Sequence, residues 1–193
     1  MYKDKESRLL EAYIGSYEKG MHVREIAKKL KISPSAVSYM AKRLEKSHIL
    51  RHIIEGRNKK YFINLSNQAA KGMLAAAEIV KRTEIMEKYF IIKKLAAEVN
   101  FRSNIALLFG SFAKGTADEE SDIDVLVIGK NKVLENELEK FGKLYKKQMH
   151  VISLQENDFI QIGELVSEVM KSHAVLNNTE GFINIVWRMK HEE

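Results

Sequence analysis

The 193-residue sequence has no cysteine. That excludes a disulfide framework, a thiolate zinc site and a cysteine nucleophile. It has one proline, Pro34, and no internal repeat or low-complexity tract. No run of about 18 uncharged apolar residues occurs, so no membrane span is expected. The first residues, Met1-Tyr2-Lys3-Asp4-Lys5, lead into a charged amphipathic stretch rather than an apolar core, so no signal peptide is expected. A cytoplasmic protein is the simplest reading. Against these absences, 45% of residues are apolar and 30% charged, an ordinary balance for a chain that builds cores. The length admits one or two domains.

Charge is unevenly spread. Residues 1–65 hold 15 Lys and Arg against 7 Asp and Glu, or +8, whereas residues 66–193 hold 17 against 19, or −2. The whole excess of +6 therefore belongs to the first third, which suggests that this part meets a polyanion. A solvated basic face has the same composition, so motifs have to decide.

Apolar spacing predicts a helix over Ser7–Lys19 (Leu9, Leu10, Tyr13, Ile14, Tyr17) that Gly20 stops, and a second over Val23–Leu30. Lys31-Ile32 makes a turn. Ser33 then caps a third helix, with Pro34 at its first position, that runs to about Lys46. Leu50–Glu55 and Lys60–Leu65 read as strands joined by a hairpin loop, Gly56–Lys59. From Ser66 or Asn67 a helical region extends, with one break, to Val99. Its alanine-rich part, 68–82, reads as a linker or a dimer helix. Then come apolar runs at Ile105–Phe109 and Ile123–Ile128, helical patterns over 134–147 and Asp158–Ser172, a strand over 149–154, and a last helix near Glu180–Met189. Strands alternating with helices indicate an α/β or α+β fold.

Three helices and a β-hairpin within about 65 residues resemble a winged helix-turn-helix domain. The residues carrying the resemblance are Val23-Arg24-Glu25-Ile26-Ala27, Ser33-Pro34-Ser35-Ala36-Val37-Ser38, Leu44-Glu45 and the Gly56-Arg57 tip. With Val37 and Ala41 inward, Ser35, Tyr39, Lys42 and Lys46 point outward, flanked by Ser38 and Arg43. Hydroxyls near a helix N-terminus and cations further along suit a helix in the major groove of double-stranded DNA. Arg57, Lys59 and Lys60 would let the wing touch phosphate. The other reading is a winged helix used only for protein interaction, with Tyr39 a packed aromatic.

The most specific feature is Leu108-Phe109-Gly110-Ser111, ten residues, then Asp122-Ile123-Asp124 and Val125-Leu126-Val127-Ile128. Gly110 ends a strand where backbone can approach a phosphate, and Ser111 with the amides after it forms a short helix start suited to an anion. Asp122 and Asp124, two apart on a strand, share one face. Two like charges held so close favour a hard divalent cation between them, such as Mg²⁺ or Mn²⁺. The alternative is a pair of solvated strand-end residues.

This segment resembles the nucleotidyltransferase superfamily, the fold shared with DNA polymerase beta, and in particular its minimal prokaryotic members. The resemblance covers about residues 85–193 and rests on Phe109-Gly110-Ser111, Ala113-Lys114-Gly115 and Asp122-Ile123-Asp124, with Lys114 where the family often has Arg. It implies that Gly110, Ser111 and Lys114 meet a nucleoside triphosphate. It also implies that Asp122 and Asp124 hold metal, two ions flanking the attacked phosphate. The family's third carboxylate lies on a later strand. Here that strand is Gln148–Ser153, which has none, and the position aligns with His150 within about one residue. Imidazole is a poor Mg²⁺ ligand, and a lone strand histidine is usually packed or hydrogen-bonded.

The expected architecture is α+β: a winged helix-turn-helix (1–66), a linker or dimerisation helix (67–84), and a nucleotidyltransferase-like mixed sheet with helices (85–193). The leading functional expectation is a DNA-binding transcriptional regulator, a homodimer, whose second domain binds Mg²⁺-nucleoside triphosphate with impaired transfer. The alternative is an active enzyme that transfers a nucleoside monophosphate to a nucleic acid, a small molecule or a separate protein partner, as antitoxin-like relatives do.

Overall fold

Leu9, Leu10, Tyr13, Ile14 and Tyr17 are all buried, yet only the first part of that segment is helical. Helix α1 spans Lys5–Leu10 and passes into a single 3-10 turn, Glu11–Tyr13, after which Gly15 takes a left-handed φ of 80°. The helix expected to reach Lys19 therefore ends early. Ile14 and Tyr17 are buried by tertiary contact: the Tyr17 hydroxyl donates to Glu78 Oε1 at 2.5 Å. The computed structural model describes residues 5–161 and 163–189. Met1-Tyr2-Lys3-Asp4, on which the leader argument was made, and Ile162, inside the helix expected over 158–172, lie outside the described residues.

The chain divides into two compact units, Met1–Glu78 and Ile79–Glu193. The first continues with strand β1 (Met21–His22), helix α2 (Val23–Leu30) and helix α3 (Pro34–Lys46). Lys31 sits at φ 54° as a left-handed cap, which is how the chain turns between the two helices. Ser33 is extended, and its hydroxyl accepts from the Ala36 amide at 3.2 Å, so the Ser-Pro pair starts α3 as expected. Val37, Met40, Ala41 and Leu44 are buried. Strands β2 (Leu50–Glu55) and β3 (Asn58–Ile63) form the hairpin. Glu55 pairs with Asn58, so only Gly56 and Arg57 form the loop, and Gly56 at φ 61° takes the positive φ such a short turn needs. The expected loop was two residues too long and the second strand two residues too late. β1, which was not foreseen, adds antiparallel to β3 and makes a sheet of order β1-β3-β2.

Helix α4 runs from Gln68 to Lys88. Its Ala70, Leu74, Ala77 and Glu78 are buried, so the alanine-rich stretch has a packed face and is not simply a solvated linker. The break falls at Tyr89, and helix α5 follows (Phe90–Glu98).

The second unit is built on β4 (Ile105–Phe109), helix α6 (Gly110–Lys114), β5 (Ile123–Ile128), helix α7 (Lys132–Tyr145) and β6 (Met149–Leu154). Helices α8 (Glu156–Ile160) and α9 (Glu164–Lys171), strand β7 (Ala174–Asn177) and helix α10 (Thr179–Met189) complete it. The single helix expected over 158–172 is thus two short ones, and β7 was not foreseen. The sheet order is β6-β5-β4-β7, with β4 antiparallel to both β5 and β7 and β5 parallel to β6 across the α7 crossover. β4 and β5 are central and, Asp124 apart, apolar because both faces are covered. Ala106, Leu108, Ile123, Val125 and Val127 pack with Ile92 and Leu95 of α5, Phe112 of α6, and Leu134, Leu138 and Phe141 of α7. Leu107 and Leu126 are buried on the opposite face, where α10 packs on β4 and β7. The period of two puts Asp122 and Asp124 on that opposite face, at the end where β5 begins.

Candidate functional site

In the first unit the outward residues of α3 are displayed as the helical period requires. Ser35, Lys42 and Lys46 are exposed, Tyr39 is 62% exposed, and Ser38 is half-buried beside them. Arg57 stands exposed at the hairpin tip. The remaining expected contacts are held by protein partners. Arg43 pairs with Glu6 (2.7 Å) and lies over the Tyr39 ring (5.8 Å). Lys59 binds both oxygens of Glu45 at 3.0 Å, and Lys60 binds Glu55 at 3.1 Å. Both wing lysines expected to touch DNA are thus paired with a carboxylate in this structure. No sequence signal gives the Lys59 partner, because Lys59 and Glu45 are 14 residues apart and meet only when the hairpin folds back on α3.

In the second unit Gly110 ends β4 with φ 67°, and a Cβ added there would stand 2.0 Å from Asp124 Oδ2. The residue must be glycine both for its left-handed backbone and for the space that Asp124 fills. Phe109 pairs with Asp124 across the antiparallel ladder, and Asp124 pairs with His150 across the parallel one. Three strands thus place Gly110, Asp124 and His150 side by side. His150 Nδ1 is 3.1 Å from Asp124 Oδ1, and its Nε2 is 3.9 Å from Asp122 Oδ2. The His150 side chain is 49% exposed, Asp122 39% and Asp124 20%, so the histidine is not packed within the sheet. Gln148, which sequence reasoning passed over, lies 2.7 Å from His150 Nε2. Its spacing of two residues from His150 on an extended segment is the signal that would have found it.

Ser111 is half-buried in the first turn of α6, and Lys114 is exposed at the end of that helix. Lys114 also adds a minor share to the lowering of the Glu168 carboxyl, whose chief partner is Lys171. The segment leading into Asp122 is fixed by local bonds. The Ser121 hydroxyl donates to Asp118 Oδ1 (2.8 Å), and the Glu120 amide donates to the same oxygen (3.1 Å). These bonds hold the Asp118 carboxyl below its ordinary value, with the Ser121 hydroxyl the larger cause. Lys147 donates to the carbonyls of Glu119 and Ser121, and Lys88 to that of Gly115.

Among the described residues no group of three His, Asp or Glu side chains is set to hold a metal ion by itself. The donor chemistry nonetheless fits a divalent cation as a partial shell. Two adjacent carboxylates, with other positions left to phosphate oxygens and water, is the way Mg²⁺ is usually held. Among the described residues no helix is long and apolar enough to cross a membrane.

Residues 92–176 match the family model described as nucleotidyltransferase domain, and residues 16–55 match that of the MarR family. No curated protein matches the chain. A solved structure described as "Crystal structure of the toxin-antitoxin with AMP-PNP" is similar at 16% identity and a TM-score of 0.35, covering 53% of this chain and 85% of that one. The first matched segment contains α2, α3 and all of β2, and the second contains the Gly110–His150 array with β4, β5, β6 and all but the last residue of β7. The chain therefore joins a winged-helix segment, matched by the MarR family model, to a nucleotidyltransferase domain in one polypeptide.

Proposed function

We propose that the chain is a DNA-binding transcriptional regulator whose nucleotidyltransferase domain binds a metal-nucleoside triphosphate and transfers it poorly. The observation that carries this reading is the array on one sheet face: Gly110 against Asp124, Asp122 two residues away, and an imidazole where a third oxygen donor would complete a metal shell. Asp122 and Asp124 hold the divalent ion, Mg²⁺ or Mn²⁺. Gly110 lets the triphosphate approach the backbone, and Ser111 and Lys114 meet its phosphate oxygens. When bound, the ion offsets phosphate charge at the carboxylates. His150 brings a ring nitrogen, a weaker donor than oxygen to such an ion. In the first unit, Ser35, Ser38, Tyr39, Lys42 and Arg43 present the α3 face to the major groove and Arg57 brings the wing to the backbone. The local charge of +8 supplies nonspecific affinity.

A second reading is favoured by one observation. The fit of Gly110 to Asp124, where any side chain at 110 would displace the carboxylate, keeps in place the phosphate approach and the carboxylate that transfer would use. On that reading the chain transfers a nucleoside monophosphate to a nucleic acid, a small molecule or a separate protein. Incubation with each labelled triphosphate and Mg²⁺ or Mn²⁺, with and without duplex DNA or cell extract, separates the two. Retention of unaltered nucleotide supports the regulator, and label moved onto an acceptor at an ordinary enzymatic rate replaces it with the enzyme. Sedimentation tests a homodimer, for which the exposed small residues of α4, Ala69, Gly72 and Ala76, offer a close-approach face.

A further inference from the structure

The wing holds two side-chain clusters of the same composition. In one, Glu45 of α3 is shared between His52 Nδ1 (2.7 Å) and Lys59 Nζ (3.0 Å). In the other, Glu55 is shared between His22 Nε2 (2.6 Å) and Lys60 Nζ (3.1 Å). Each lysine on β3 is thus paired with a glutamate that also serves a histidine. We propose, on the DNA-binding reading above, that Glu45 and Glu55 set the wing's affinity for duplex DNA by restraining Lys59 and Lys60, and that protonation of His22 releases Lys60 from Glu55.

The charge count shows why. With a neutral imidazole, each His-Glu-Lys cluster has one positive and one negative charge and sums to zero. With an imidazolium it sums to +1, because the carboxylate is then satisfied by its histidine and the ammonium is surplus. The His22-Glu55-Lys60 cluster thus moves from 0 to +1. A cavity of about 590 Å³ beside it is lined by His22, Arg24, Glu25, Pro34, Asn58 and Lys59, between the starts of α2 and α3 and the wing. The other groups facing the imidazoles keep their charge or are neutral. His22 has the Glu25 carboxylate on its own backbone amide (2.6 Å) and the Lys59 carbonyl on Nδ1 (3.1 Å). His52 faces the neutral Tyr61 ring at 6.1 Å.

The His22 imidazole is held above its ordinary value, first by its bond to Glu55 and then by the Lys59 carbonyl, while burial opposes. Glu55 is held below its ordinary value, by Lys60 first and His22 second. The His22–Glu55 pairing is therefore fully present below the unfolded imidazole value and is lost as pH rises through the raised folded one. By linkage, duplex binding takes up protons and tightens as pH falls across the imidazole range.

The test is fluorescence anisotropy of a labelled duplex with the full chain, over a salt series, at about pH 6 and about pH 8, on either side of imidazole titration. The expected result is tighter binding at the lower pH, with a log-log salt slope steeper by up to about 0.9 for each lysine released. E45Q and E55Q, each removing the shared carboxylate charge, should give the steeper slope already at about pH 8. H22Q should remove the pH dependence, and H48Q, a histidine outside both clusters, should keep it. Thermal melts of each variant identify any that fail to fold, and the wild-type comparison decides the matter if one does. A wild-type slope that is the same at both pH values, or binding weakened by E45Q and E55Q, overturns the proposal alone. No duplex binding at low salt at either pH overturns the DNA-binding reading and the proposal with it.

Discussion

Gly110 is the residue on which the second unit's site depends most directly. Gly110→Ala should cost about 1–2 kcal/mol for the left-handed backbone. The added methyl should also push the Asp124 carboxylate aside. The expected outcome in calorimetry is loss of metal-dependent triphosphate binding in a protein that still melts cooperatively. Asp122→Asn with Asp124→Asn should also abolish that binding, and because it removes two adjacent like charges the melting temperature without metal should not fall. Equal triphosphate affinity in wild type and double mutant would remove both residues from the site. His150→Asp is the converse experiment. Since the His150 side chain is about half exposed, an aspartate there is hydrated, but it stands as a third carboxylate beside Asp122 and Asp124, so the melting temperature should fall without metal and recover with it. It should raise Mg²⁺ affinity more than Mn²⁺ affinity, because Mn²⁺ accepts imidazole better. A fall in Mg²⁺ affinity would show that position 150 takes no part in metal binding.

At the scale of elements, Ser33 and Pro34 define the start of α3 in sequence and structure alike. Ser33→Ala removes the bond to the Ala36 amide and should cost about 1 kcal/mol in urea unfolding, with the slope unchanged. α3, β2, β4, β5 and β6 were legible because each has a strong period or a long apolar run with clear boundaries. Where the reading failed, a tertiary cause can be named. The spacing of Ile14 and Tyr17 imitates a helix because both are buried, but the bond from Tyr17 to Glu78 does the burying, 61 residues away. β1 and β7 have two and four residues, too few to show alternation, and exist because a neighbouring strand had a free edge. Gly110, Asp122 and Asp124 could be read as a motif, since all three lie within 15 residues on two strands that pair with each other. The carboxylate that holds Lys59 could not, because Glu45 lies 14 residues away on α3 and nothing local in the sequence marks that ion pair.

For the molecule as a whole, the uneven charge makes duplex affinity a property to be looked for in the first unit. Binding should weaken steeply with salt, and Lys42→Ala and Arg57→Ala should each flatten the salt slope by about 0.9. Arg43→Ala should have a smaller effect, because its guanidinium is already paired with Glu6. Unchanged slopes in both variants would place the contacts elsewhere. The second unit has a different whole-molecule property, set by where β6 lies. β6 is one of the two edge strands of its sheet and pairs only with β5, whereas β4 and β5 are central. Edge elements open at lower free energy than the global unfolding of the unit. Amide hydrogen exchange over Met149–Leu154 should therefore be faster than over Ile123–Ile128. The imidazole of His150 then leaves the two aspartates each time the edge frays, while the carboxylates stay fixed in the slow-exchanging centre.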